Sequence, residues 1–180
     1  MTNNDILRRI RFALELNDAQ MVAVFAQSQV TLSEAEVVAY MAKEHEANVK
    51  VCSGTLLAQF LDGLILENRG PRKEGAPVAP PVEELTNNGV FKKLRIALSM
   101  QEKEVLAALA AGGQKLSKGE LSALFRNPSH KHYRACGDQI LRNFLNGLTR
   151  LRRSPKPRQD SESKAKRKAT DTPDPWGKKK

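Results

Sequence analysis

The sequence predicts an all-α protein built from two tandem homologous helical repeats. Three observations carry that expectation. The chain aligns with itself at an offset of 84 residues without a gap, and 18 of 63 pairs over positions 2–64 are identical, where ordinary composition gives roughly one identity in sixteen by chance. Apolar residues recur at helical spacing rather than in alternation. Helix-start signals fall at the same register in both copies.

Each repeat divides into about four short helices. In the first, Ile6, Leu7, Ile10, Ala13 and Leu14 form one stripe, matched by Val90, Phe91, Leu94, Ala97 and Leu98; Asn3 or Asn4 is the expected N-cap. The second spans 18–27, with Met21, Val22, Phe25 and Ala26 inward. Its counterpart spans 102–111 and ends at Gly112-Gly113. The third starts at Ser33-x-x-Glu36 and at Ser117-x-x-Glu120, two capping boxes, with Leu32/Val37 and Leu116/Leu121 spaced as hydrophobic staples. The fourth spans 54–66 and 138–151. Leu56, Leu57, Phe60, Leu61 and Leu64 make its apolar face, copied by Ile140, Leu141, Phe144, Leu145 and Leu148. Gly63 and Gly147 lie inside these helices, where Gly costs about 1 kcal/mol relative to Ala. Keeping them in both copies implies close backbone packing there, as where the two fourth helices cross about a pseudo-twofold axis; the alternative is that Gly makes room for a neighbouring Phe within its own repeat.

The expected organisation is repeat 1 at 1–70, a stiff Pro/Gly-rich linker at 71–85, repeat 2 at 86–152, and a disordered basic tail at 153–180. A 60-residue unit buries only about 60% of its unfolded surface, which favours packing of the repeats against each other as a pseudo-twofold bundle. With 40% hydrophobic and 5% aromatic residues, the core is mainly aliphatic. No apolar run approaches the ~20 residues of a bilayer span, and no signal-peptide pattern opens the chain. Two cysteines make no disulfide framework. The expectation is a cytoplasmic protein without a membrane partner.

Charge is distributed unevenly. Residues 1–70 carry a net −3, residues 86–149 a net +6, and residues 150–180 a net +8. Repeats of one scaffold with opposite charge suggest an anionic partner for the C-terminal half. Lys92, Lys93 and Arg95 on the first helix of repeat 2 are candidate phosphate contacts. They match Arg8, Arg9 and Arg11, and Arg11 and Arg95 are also candidates for ion pairs within the fold. Segment 126–142 adds Arg126, His130, Lys131, His132, Tyr133, Arg134 and Arg142, cations around one aromatic ring, the composition of a surface that binds RNA or DNA. Repeat 1 has Glu44-His45-Glu46 at the matching register. Lys166, Arg167 and Lys168 in the tail add a polycation, with Trp176 available to stack. RNA is favoured over DNA because no pair of recognition helices is visible.

Other chemistries have weaker support. His130-x-His132-x-x-x-Cys136 offers three zinc ligands but lacks a paired Cys-x-x-Cys element, so no metal or cofactor is expected. Cys52 and Cys136 precede the fourth helices, where a helix N-terminus can lower a thiol pKa; burial as core is the favoured alternative. No phosphate loop, zinc-protease motif or nucleophile elbow is present, and the chain is not expected to be an enzyme. The alternative to nucleic-acid binding is a protein–protein adaptor using the acidic face of repeat 1, including Glu44, Glu46 and Glu67. A homodimer through Phe60 or Phe144 is also open.

Three segments carry a family resemblance: Asn3 through Arg11 at the start, and Lys92 through Ser99 and His130 through Leu148 later. Together they resemble the YehS-like bacterial proteins, built on a duplicated domain of unknown function. The resemblance covers about residues 2–150. It implies a bacterial origin and a duplicated helical fold, and it brings no activity and no catalytic residues.

Overall fold

The first stripe of apolar residues, Ile6, Leu7, Ile10 and Ala13, is buried on one side of helix α1 (Asn3–Leu14). The computed structural model describes residues 1–43, 45–71 and 85–153. The remaining helices are α2 (Asp18–Gln27), α3 (Glu34–Met41), α4 (Gly54–Arg69), α5 (Asn87–Ala97), α6 (Glu102–Ala111), α7 (Lys118–Leu124) and α8 (Asp138–Arg153). No strand occurs among the described residues. The linker residues 72–84 and the tail from 154 onward lie outside them, and with the tail Lys166, Arg167, Lys168 and Trp176.

Both third helices start as the sequence predicts. Ser33 accepts from the Glu36 amide and the Glu36 carboxylate accepts from the Ser33 amide at 3.0 Å; Ser117 and Glu120 repeat the exchange. Leu32 and Leu116 pack against the core beside the buried Val37 and Leu121. The first helices start differently from expectation. Thr2 and Thr86, not the asparagines, are the N-caps, accepting from Asp5 N–H and Gly89 N–H at 3.2 Å each. The asparagines fall inside the helix, and their side chains reach another segment. In α2 the buried set is Met21, Val24 and Phe25; Val22 is only partly buried and Ala26 faces solvent. The fourth helices run about one turn or less beyond their expected ends, to Arg69 and Arg153.

Asn4 Nδ2 donates to Tyr40 O at 2.8 Å and Lys50 O at 2.7 Å, while its Oδ1 accepts from Cys52 N–H at 2.9 Å. Asn88 makes the same three bonds to Leu124 O, Arg134 O and Cys136 N–H. Each amide side chain thereby fixes the long loop between the third and fourth helices to the first helix. Within each repeat, α2 packs on α4 and α6 on α8.

The glycines meet their own repeat, not each other. A Cβ at Gly63 would fall within the radius of the Val24 carbonyl oxygen of α2, and one at Gly147 within that of Ala108 in α6. The close approach is backbone against backbone, which explains why both copies keep Gly and corrects the expectation of a crossing between the fourth helices.

The repeats join through two seams, α1 against α8 and α5 against α4. Each is a parallel pair. Met1 meets Asp138, Arg9 meets Asn146 and Arg153 meets Phe12 along one seam. Lys93 meets Asp62 and Arg69 meets Ile96 along the other. Because α1 corresponds to α5 and α8 to α4, an approximate twofold axis relates the seams. One continuous core results, containing Phe25, Phe60, Phe91 and Phe144. Phe60 and Phe144 are fully buried within it, so neither offers a surface for a homodimer. No helix of the described residues is long and apolar enough to cross a membrane.

Candidate nucleic-acid interface

The loop between α7 and α8 is built on the same backbone as its counterpart between α3 and α4. His130 N–H donates to Asn127 O as Glu46 N–H does to Lys43 O. Tyr133 N–H donates to His130 O as Val49 N–H does to Glu46 O, and Arg134 N–H to Ala123 O as Lys50 N–H does to Ala39 O. Positions 84 apart therefore occupy equivalent places, and differences between the copies can be assigned to side chains.

In repeat 1 a groove between α1 and the end of α3 is lined by Asp5, Arg8, Met41, Ala42, Lys43 and Glu46. Its charges cancel. Arg8 donates to Asp5 Oδ1 at 3.0 Å and to Ala42 O at 2.6 Å, and Glu46 accepts from the Lys43 amide at 3.1 Å. The equivalent positions in repeat 2 are Gly89, Lys92, Phe125, Arg126, Asn127 and His130. Both carboxylates are gone, and Lys92 and Arg126 remain with no acid among these positions. Asn127 instead orders the turn, its Oδ1 accepting from Ser129 N–H at 2.9 Å and Ser129 Oγ–H at 2.8 Å.

His130, Lys131 and His132 are exposed on this loop, and Tyr133 is half-buried. The imidazoles lie 5.7 Å apart. His130 Nδ1 accepts the His132 amide at 3.0 Å, so the neutral His130 ring carries its proton on Nε2, pointed away from that bond.

Other candidates lie elsewhere. Lys93 is occupied across the repeat seam by Asp62. Arg95 donates from Nε to Met100 O at 3.2 Å and lies over the Phe125 ring at 4.9 Å; Arg11 likewise donates to Leu16 O and pairs with Asp18 at 2.8 Å. Arg134 pairs with Glu120 at 3.2 Å, as Lys50 does with Glu36. Arg142 sits on α8, outside the loop. Arg126, His130, Lys131, His132 and Tyr133 thus share the segment between α7 and α8, and Lys92 holds on α5 the position of Arg8 on α1. Of the acidic residues considered for an adaptor face, Glu67 accepts from Gln27 at 2.9 Å, Glu46 closes its own turn, and Glu44 lies outside the described residues.

The thiols of Cys52 and Cys136 are buried, and loss of hydration is the leading cause that pushes both pKa values up to about 11. Each is a core residue rather than an activated nucleophile. No group of three or more His, Cys, Asp or Glu among the described residues is placed to hold a metal.

Pairwise comparison of the copies contains the signal for this groove, since the replacement of Asp5 by Gly89 and of Glu46 by His130 is visible at an offset of 84. Composition alone obscures it, because it counts Lys93 and Arg134 equally with Lys92.

The family model for a protein of unknown function (DUF1456) matches residues 3–70 and again residues 87–154. The chain belongs to this family. It is also 40% identical over 148 residues to the uncharacterized protein YehS of Escherichia coli (strain K12), an alignment covering 82% of this chain and 94% of that protein. No solved structure matches the chain. The double match by the family model agrees with the duplication, and the resemblance to the YehS-like family holds.

Proposed function

We propose that this member of the family is a non-catalytic nucleic-acid-binding protein that uses repeat 2, with single-stranded RNA preferred over DNA. The observation that supports the reading is the loss of both carboxylates of the repeat 1 groove, Asp5 to Gly89 and Glu46 to His130, at positions that include Lys92 and Arg126. The same scaffold carries a self-neutralised groove in repeat 1, and the equivalent positions of repeat 2 hold no acid. Phosphates meet the two cations and His130, and a base stacks on Tyr133 or His132. Lys131 extends the positive surface along the loop, and the tail residues Lys166, Arg167 and Lys168 add sequence-independent attraction.

Fluorescence anisotropy with a labelled single-stranded RNA, at two salt concentrations, tests the reading on the full chain. Binding is expected to weaken steeply with salt. Lys92→Gln with Arg126→Gln is expected to lower affinity roughly tenfold and to reduce the logarithmic salt slope by about 0.7 for each phosphate that the variant no longer neutralises. No binding of RNA or DNA at low salt overturns the proposal. Retention of partners after nuclease and high-salt treatment, with no RNA affinity, would instead establish a protein adaptor.

A further inference from the structure

The two seams between the repeats differ in how a buried-edge cation is met. On α5 and α4, Lys93 is paired with Asp62, a neutral arrangement. At the equivalent place on α1 and α8, Arg9 donates to Asn146 Oδ1 at 3.0 Å. Replacing the carboxylate by an amide leaves the Arg9 charge uncompensated by this partner. It also aims a donor group, since Asn146 accepts with its oxygen and its NH₂ is left to donate. Neighbouring positions differ as well: Leu66 corresponds to Arg150 and Ile96 to Phe12, while Gly89 corresponds to Asp5.

An open trough of about 620 Å³ runs along the α1–α8 seam, lined by Arg8, Arg9, Phe12, Asn146 and Arg150 among others. That size suits a small ligand. Arg150 is braced by donating to Ala111 O at 2.6 Å. Asp5 also lines the trough, but its carboxylate is held by Arg8 at 3.0 Å. Phe12 is 54% exposed, unusual for so large an apolar side chain, and the Arg153 guanidinium lies 3.7 Å from its ring centroid. Within the trough, Arg9 carries its charge with Asn146 as its hydrogen-bond partner and no carboxylate on that bond.

We propose that the α1–α8 trough binds the phosphomonoester of a nucleoside. The phosphate is taken by Arg9, the Asn146 amide and Arg150, since guanidinium groups match phosphate oxygens with paired donors. The base stacks against Phe12 and Arg153. Either a free mononucleotide or the 5′-phosphorylated end of a strand supplies this chemistry.

Calorimetric titration of the full chain with adenosine 5′-monophosphate, ribose 5-phosphate and adenosine tests it. The nucleotide is expected to bind more tightly than either fragment. Asn146→Asp restores the carboxylate that the other seam already accommodates, and Arg150→Leu installs the residue of the equivalent position, so both variants are expected to fold. Each should weaken nucleotide binding at least about tenfold, the effect of losing or opposing one charge-assisted hydrogen bond. Phe12→Ala should reduce the nucleotide to the affinity of the sugar phosphate. A 5′-phosphorylated ten-residue RNA that binds more tightly than its unphosphorylated form and than the mononucleotide identifies the strand end as the source; the reverse order against the mononucleotide identifies the free ligand. Absence of nucleotide binding at millimolar concentration, or unchanged affinity in both folded seam variants, overturns the proposal. Because Lys92→Gln and Arg126→Gln leave this trough intact, they separate its failure from that of the RNA groove.

Discussion

The ammonium of Lys93 on α5 rests on the carboxylate of Asp62 on α4, so a residue that composition assigns to an outside partner joins one repeat to the other. The pair is partly screened, with side-chain exposures of 18% for Lys93 and 38% for Asp62. Removing Asp62 as Ala should cost about 1 kcal/mol or less, the scale of partly exposed ion pairs. A double-mutant cycle with Lys93→Ala, followed by urea unfolding, should return a coupling of that size; additive effects would show that the pair contributes nothing.

Asn4 and Asn88 each hold three backbone groups, one at the end of the third helix and two in the loop that follows it. Asn4→Ala or Asn88→Ala should lower stability by about 2–4 kcal/mol, because the amides and carbonyls left behind are partly buried and unpaired. Chemical denaturation measures this. A loss below about 1 kcal/mol would mean that the loops are fixed by other contacts.

Gly147 tests the helix contact. In an exposed helix Gly→Ala gains about 1 kcal/mol. Here the added methyl meets the Ala108 carbonyl and must separate α8 from α6, so Gly147→Ala should destabilise by about 2 kcal/mol or more. Gly63→Ala against Val24 should behave alike. A raised melting temperature in either variant would contradict the close approach.

Burial holds both thiols protonated well above neutrality, with pKa values of about 11. Cys52 and Cys136 should therefore resist alkylation at pH 7–8 and react at the rate of unfolding or local opening. Rapid labelling of the native protein would reopen a redox or catalytic role.

The capping boxes impart a pH dependence. The Ser33 amide, and then Lys50, hold Glu36 near a pKa of about 2, below its ordinary 4.5; the Ser117 amide and hydroxyl lower Glu120 in the same direction. A folded pKa below the unfolded one gives stability that is complete above about pH 4.5 and is lost as pH falls toward 2. Glu36→Gln with Glu120→Gln should flatten the stability profile in that window by lowering stability above pH 4.5, so that variant and wild type converge as pH falls toward 2. An identical acid limb in the variant would place the effect on other carboxylates.

Much of the fold was legible because short-range signals repeat. The Ser33 and Ser117 caps, the stop at Gly112 and the stripe from Ile6 to Ala13 are written within a few residues of where they act, and the second copy confirms each. The roles of Asn4, Asn88 and Gly63 were not legible, because they depend on partners 36 to 48 positions away for the asparagines and on a different helix for the glycine. Asparagine before an apolar stripe looks like a cap, yet the adjacent Thr2 took that place and released Asn4 for the loop. The charge pattern correctly marked repeat 2 as more basic. It did not separate Lys92 from Lys93, since only the seam with Asp62 distinguishes neighbours on one helix.

The parallel seams carry a consequence for how the molecule can change. In a symmetric homodimer every substitution is made twice, so a loop that gains a cation gains it on both sides and the same cleft is always duplicated. Here the two halves occupy such a symmetric arrangement but are encoded separately. Asp5 can be kept where Gly89 replaces it, and Asp62 can be kept where Asn146 replaces it. One half is thereby free to specialise while the other continues to brace it, at no cost in subunit concentration.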